Sequence, residues 1–227
     1  MPDTVRRGSQ VHFLHVSKTG GTAINAALKP RLTTGNYVIR LRAHSVKLSD
    51  IPVGEPVFFA VRDPLTRFVS GFNSRLRMGR PRRDRPWSGH EARVFSRFPS
   101  PDALATALSS PDDPTRLAAE SAMGSLMHVA DSYWSWFGEE EYFASRRSDI
   151  LFVLFQERLD IDFAILAWLL GLQGQVALPR DPVEAHRTPQ GFSQELSAAA
   201  EENLRRWYAR EYDFLAQCRG LRGREDL

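Results

Sequence analysis

The chain of 227 residues holds one cysteine, Cys218. That scarcity excludes an internal disulfide framework and a cysteine-ligated zinc site. With no redox or nucleophile motif around it, Cys218 reads as a bystander. Long apolar runs are missing too. The longest, FAILAWLLGL (163–172), is about half of the ~20 residues a membrane span needs, and suits a core helix. Arg6 and Arg7 are not followed by an apolar stretch with a small-residue cleavage site, so a soluble, cytoplasmic protein without a membrane partner is expected. Lysine is scarce: Lys18, Lys29 and Lys47 stand against 27 arginines. The arginines are spread widely and carry little functional information, but their abundance makes a lysine at position 18 informative. The triphosphate-loop pattern G-x-x-x-x-G-K-[ST] is absent, which weighs against ATP or GTP hydrolysis.

What is present reads as one globular domain, 1–227, with a single sizeable core. A hydrophobic fraction of 42% and a net charge of only +3 fit that class. Short buried strands are predicted at 11–16, 36–41, 56–61 and 150–155. Helical patterns follow at 22–29, 65–76, 101–110, 114–130, 162–172 and, as one long amphipathic helix, 193–217. Between them lie a Pro/Gly-broken basic loop at 77–89 and an aromatic patch, SYWSWFGEEEYF, at 132–143. Strands alternating with helices predict an α/β fold with a central parallel sheet and helices on both faces. Ligands in such sheets sit outside the carboxyl ends of the strands. The two most unusual turns, 17–22 and 62–64, fall at such ends.

The first turn is VSKTGGTA, where Lys18, Thr19, Gly20, Gly21 and Thr22 join a strand to a helix. Amides at a helix start lack partners, and the aligned peptide dipoles add about half a positive charge there, which favours an anion. Glycines let the main chain approach phosphate oxygens, Lys18 adds a mobile charge, and Thr19 and Thr22 add hydroxyls. A Gly-Gly turn by itself is equally a tight connection. The second turn supplies the discriminating clue. In VFFAVRDPLTRFVSGF (57–72), Arg62 ends a strand and Ser70 lies eight residues on, so a guanidinium fork and a hydroxyl are available to a second phosphate. Arg62-Asp63 alone reads equally as a structural ion pair. Together the two turns imply a ligand with two separated phosphates.

At this point the chain resembles the sulfotransferases that use 3'-phosphoadenosine 5'-phosphosulfate (PAPS), and is most similar to the branch containing carbohydrate O-sulfotransferases. HVSKTGGTA resembles that family's 5'-phosphosulfate loop, with Ser17 in place of a common proline and Ala23 in place of a common serine. RDPLTRFVS resembles its 3'-phosphate motif. Weaker likeness covers 150–215; residues 79–145 match nothing and read as a variable, helical, acceptor-side segment. The resemblance implies a three-layer nucleotide-binding fold of the P-loop NTPase type, PAPS as co-substrate with 3',5'-ADP as product, and no metal. It implies nucleotide contacts from Lys18, Thr19, Gly20, Gly21, Thr22, Ala23, Arg62 and Ser70, with Arg187 and Thr188 in a closing loop.

A general base is still needed, and histidine titrates near working pH. Of six histidines, His44 follows the second strand, where the carbohydrate branch carries its base; Glu120 and His128 are the alternatives. In the implied reaction His44 takes the acceptor hydroxyl proton and Lys18 neutralises charge on the leaving oxygen. The acceptor is a hydroxyl-bearing molecule, a glycan or glycosylated small molecule among the candidates. Eight arginines at 75–97 read either as a surface for an acidic glycan or as a solvated loop, and Tyr133, Trp134, Trp136 and Phe137 either as a stacking surface or as core. Two other classes compete: a small-molecule kinase of related fold, and an arginine-rich nucleic-acid binder, which would leave the spacing of Lys18, Arg62 and Ser70 without a reason.

Overall fold

The computed structural model describes residues 8–181, 189 and 191–222. By contact they gather into two compact units, the first drawn from Met1–Arg62, Ser132–His186 and Phe214–Leu227, the second from Asp63–Asp131 and Arg187–Asp213.

The first unit is built on a four-stranded sheet: β1 (Ser9–Leu14), β2 (Tyr37–Leu41), β3 (Val57–Val61) and β4 (Ile150–Phe155). All pairings are parallel and the spatial order is β2-β1-β3-β4. Sheets of this kind are covered on both faces, so their strands read as near-continuous apolar runs. VFFAV in β3 is buried at every position. Alternation along the strands divides the residues between two cores. Val11, Phe13, Ile39, Phe58, Ala60, Phe152 and Leu154 pack with α1 (Gly21–Leu28) on one face.

The chain then enters the second unit through α2 (Pro64–Leu76), α3 (Gly89–Arg97), α4 (Pro101–Ala107) and α5 (Asp113–Ser125). After them the first unit resumes with α6 (Trp134–Phe137), α7 (Glu140–Ser145) and α8 (Leu159–Leu169). The chain ends in α9 (Ala198–Trp207) of the second unit and α10 (Ala209–Arg222), whose first turn belongs to the second unit and the remainder to the first.

α8 completes the α1 face through Phe163, Leu166 and Ala167. The opposite face of the sheet carries Phe59 against Phe137 of α6, Phe143 of α7 and Phe214 of α10. Phe214 also touches the rings of Tyr133, Trp134, Phe137 and Phe143, with centroids between 4.8 and 5.1 Å. The first unit is therefore an α/β layering with helices on both sides of a parallel sheet. Asp162, fully buried, ties its edges: it accepts from the Phe155 amide at 2.7 Å, Arg158 at 2.9 Å and Arg222 at 3.3 Å. Buried Arg146 fixes the loop before β3, pairing with Asp149 and donating to the carbonyls of Leu48, Ile51 and Pro52.

The second unit is helical. Phe68, Phe72, Phe95, Leu104, Met123 and Leu204 form its core, and Arg75 meets Glu91 through two bonds of 2.6 and 2.8 Å. Among the described residues no helix is long and apolar enough to cross a membrane.

The strands lie close to where the apolar runs predict them, and three departures have physical causes. Residues 89–97 are helical because Ser88 and Glu91 form a capping box at the start of α3. The predicted 193–217 helix breaks at Tyr208, whose backbone leaves the helical region (ψ 24°) and whose buried hydroxyl donates to the Val129 carbonyl at 2.9 Å. The segment 79–145 divides, its last part, from Ser132, belonging to the first unit.

Two measurements test this packing. Phe214→Ala should cost about 3–5 kcal/mol in urea unfolding, as expected for an aromatic removed from a closed core, whereas Trp168→Ala, 63% exposed, should stay within about 0.5 kcal/mol of the parent. The second concerns fully buried His12 of β1, which accepts from Arg42 at Nδ1 and meets Glu55 at Nε2. Burial, opposed by Glu55, holds its pKa below the ordinary 6.5. The unfolded chain then binds the proton more readily, so stability falls as pH drops below 6.5 until the folded pKa is passed. His12→Gln should flatten that slope.

Candidate functional site

Strand order brings three loops together at one edge of the sheet. β1 lies between β2 and β3, so the segments after Leu14, Leu41 and Val61 leave from the carboxyl ends of adjacent parallel strands. The β1–β3 boundary is also where the chain switches direction across the sheet, the position at which open α/β sheets form a crevice.

After β1 the chain turns early. The Val16 amide donates to the Leu14 carbonyl at 3.1 Å, and buried Thr19 donates its hydroxyl to the Val16 carbonyl at 3.1 Å. Thr19 thus shapes the loop from within. Lys18 takes a left-handed backbone with φ +64°, and Gly20 follows with φ +90°. For a residue bearing a Cβ this conformation costs about 1–2 kcal/mol, and such cost concentrates at functional positions.

α1 then begins. The amides of Ala23 and Ile24 both donate to the Gly20 carbonyl, at 3.0 and 3.3 Å. Ala23, buried, therefore has its amide engaged within the turn. The amides of Gly20, Gly21 and Thr22 have no protein acceptor among the described residues. The two glycines are needed for different reasons. A Cβ on Gly20 would lie 2.9 Å from Leu159 Cδ2. A Cβ on Gly21 would overlap the His15 imidazole, so its smallness serves a side chain as well as any ligand.

His15 in turn builds the place of His44. The His44 Nδ1 donates to the His15 carbonyl at 2.8 Å, and the two imidazoles lie against each other with centroids 3.8 Å apart. A carbonyl only accepts, so Nδ1 carries a proton and the neutral His44 ring keeps its lone pair on Nε2. His44 is exposed, in a tight turn closed by the Val46 amide and the Ala43 carbonyl at 3.1 Å. Its own carbonyl accepts from Trp136 Nε1 at 2.7 Å.

Arg62, half-buried, follows β3. Its amide donates to the Tyr133 hydroxyl at 2.9 Å, and that hydroxyl donates to the Arg62 carbonyl at 2.7 Å. Tyr133, Trp134, Trp136 and Phe137 are all buried, which makes the aromatic patch core and removes the stacking-surface reading. Its polar atoms, missed by sequence reasoning, hold the backbones of two predicted site residues.

The remaining predicted residues are placed as follows. Ser70 lies half-buried on α2 in the second unit, where Asp63 caps the helix by accepting from the amides of Leu65 and Thr66. Arg187 and Thr188 lie outside the described residues. Glu120 and His128 belong to the second unit; the first faces Arg116 at 4.0 Å and the second faces Asp131 at 3.5 Å. Arg75 and Arg77 of the basic segment are buried, while 80–89 is exposed. Among the described residues no group of three or more His, Cys, Asp or Glu side chains is arranged to hold a metal.

Comparison with models of known protein families finds none that matches the chain. Comparison with curated proteins likewise finds no match.

The left-handed backbone at position 18 gives a direct test. Lys18→Gly should leave the fold more stable than Lys18→Ala by about 1–2 kcal/mol in chemical denaturation, because only alanine bears the Cβ penalty. Equal stability would mean that the loop relaxes out of this geometry.

Proposed function

We propose that the chain is a PAPS-dependent O-sulfotransferase of the three-layer, P-loop NTPase-like type, acting on a hydroxyl of an acceptor, with a carbohydrate as the acceptor the family resemblance favours. One observation carries the reading: three adjacent parallel strands end in Lys18-Thr-Gly-Gly-Thr22, in His44 and in Arg62, each of a type that sulfuryl transfer requires.

The fit to a doubly phosphorylated adenosine rests on the donor set. The amides of Gly20, Gly21 and Thr22, at the positive end of α1 and without an acceptor among the described residues, suit the 5'-phosphate oxygens. Arg62 on the neighbouring strand end supplies the planar fork that favours a phosphate dianion. Ser70, Arg187 and Thr188 are further contacts implied by the sequence motifs. PAPS supplies an activated sulfuryl group on a good phosphate leaving group.

The residues of the chain do the rest. His44 Nε2 removes the acceptor hydroxyl proton as the acceptor oxygen bonds to sulfur and the bond from sulfur to the bridging 5'-phosphate oxygen breaks. The electron pair of that bond stays on the phosphate, where Lys18 and the α1 amides balance it. His44 then holds the proton until solvent takes it. Catalysis of this kind is positioning and preorganised electrostatics. The left-handed backbone of Lys18 supports this reading, since such conformations concentrate at functional positions.

Calorimetry with 3',5'-adenosine diphosphate tests the assignment. Lys18→Ala should weaken its binding by about 10- to 100-fold, the worth of one charge-assisted contact. His44→Ala should leave binding intact while lowering 3',5'-adenosine diphosphate release from PAPS, over a panel of hydroxyl acceptors, by about 10²–10⁴-fold. Magnesium-dependent ATP binding with no affinity for the 3',5'-diphosphate would replace this reading by the kinase.

A further inference from the structure

We propose that the Tyr133–Trp136 turn is the positioning element of this site, with Tyr133 setting the main chain of Arg62 and Trp136 setting that of His44; the inference rests on the functional reading above. Arg62 stands just past the end of β3. The Tyr133 hydroxyl accepts from its amide at 2.9 Å and donates to its carbonyl at 2.7 Å. Two bonds from one atom to the two ends of one residue fix where its side chain departs.

Trp136 does the corresponding task two strand-ends away, on the far side of β1. Its Nε1 donates to the His44 carbonyl at 2.7 Å, while the His44 ring is held separately through Nδ1 on the His15 carbonyl. Backbone and ring are then both tied, and the lone pair on Nε2 has one direction. Tyr133 and Trp136 are three residues apart on one helical turn, so they share a face and act as a pair.

The turn is stiff enough to transmit position. Tyr133 stacks on Phe214 at 5.0 Å with 19° between planes, and Phe137 stacks on Phe214 at 4.8 Å and touches Phe59 of β3 at 4.3 Å. This aromatic packing holds the turn at Tyr133 and Phe137, the residues on either side of Trp136. A purely structural role would satisfy the same buried groups, and would lower stability without changing which ligand is preferred.

The test uses the preference for 3',5'-adenosine diphosphate over adenosine 5'-monophosphate, measured by calorimetry on the full chain. Tyr133→Phe keeps the ring and removes both bonds; the preference should fall about tenfold while 5'-monophosphate affinity stays level. Retained preference in this variant would overturn the role of Tyr133 and leave the function standing. No preference in the parent chain would overturn both. Trp136→Phe provides the independent arm, read by imidazole nitrogen NMR without any ligand. The parent His44 should show the Nδ1–H form, and the variant a mixture of the two neutral forms. Unchanged nitrogen shifts would overturn the role of Trp136.

Discussion

The bond from His44 Nδ1 to the His15 carbonyl is the contact on which the proposed chemistry depends. It joins the loop after β2 to the loop after β1, and it decides which imidazole nitrogen is basic. The same residue presents its ring to the His44 imidazole and fills the space beside Gly21 Cα. A side chain at 21 would therefore displace His15 first and His44 through it. Gly21 is a spacer for a histidine as well as part of the proposed phosphate loop. One residue, His15, joins the proposed anion loop to the proposed base.

Several site groups are held in conformations that a fold selected for stability alone would avoid. Lys18 sits in the left-handed region, and the first amides of α1 lack acceptors among the described residues. Around them everything else is engaged: Thr19 inside the loop, Ala23 on the Gly20 carbonyl, Arg62 on Tyr133. Amides at a helix start are open in any helix, and here they suit the anion that the proposed function supplies.

Much of this was legible in the residues. β3 is apolar at all five positions, so its place in the middle of a parallel sheet follows from VFFAV. The turn at 17–22 announces itself through adjacent glycines after an apolar run. Strand order does not, because pairing between distant parallel strands leaves no local pattern, and only the order β2-β1-β3 makes neighbours of Lys18, His44 and Arg62. α3 was readable in principle, since Ser88-x-x-Glu91 is a capping signature, but the preceding Pro- and Arg-rich loop masked it. The break at Tyr208 was not, because the residues on both sides favour helix and the cause is a bond to Val129, distant in sequence. The aromatic patch could be read as core; that its two polar atoms reach the backbones of Arg62 and His44 could not.

The contact between the tilted imidazoles of His15 and His44 sets a last constraint on the proposed mechanism. Two cations about 4 Å apart repel by about 4 kcal/mol at the effective dielectric of a protein surface, so His15 and His44 cannot comfortably carry charge together. The proposed transfer places a proton on His44, so a charge on His15 would oppose it. The Asn25 side chain meets His15 Nδ1 at 2.9 Å. Asn25 lies on α1, the helix whose amides face the proposed phosphate. In the proposed site the helix that holds the phosphate thus also holds the inner imidazole, against which the ring of His44 lies.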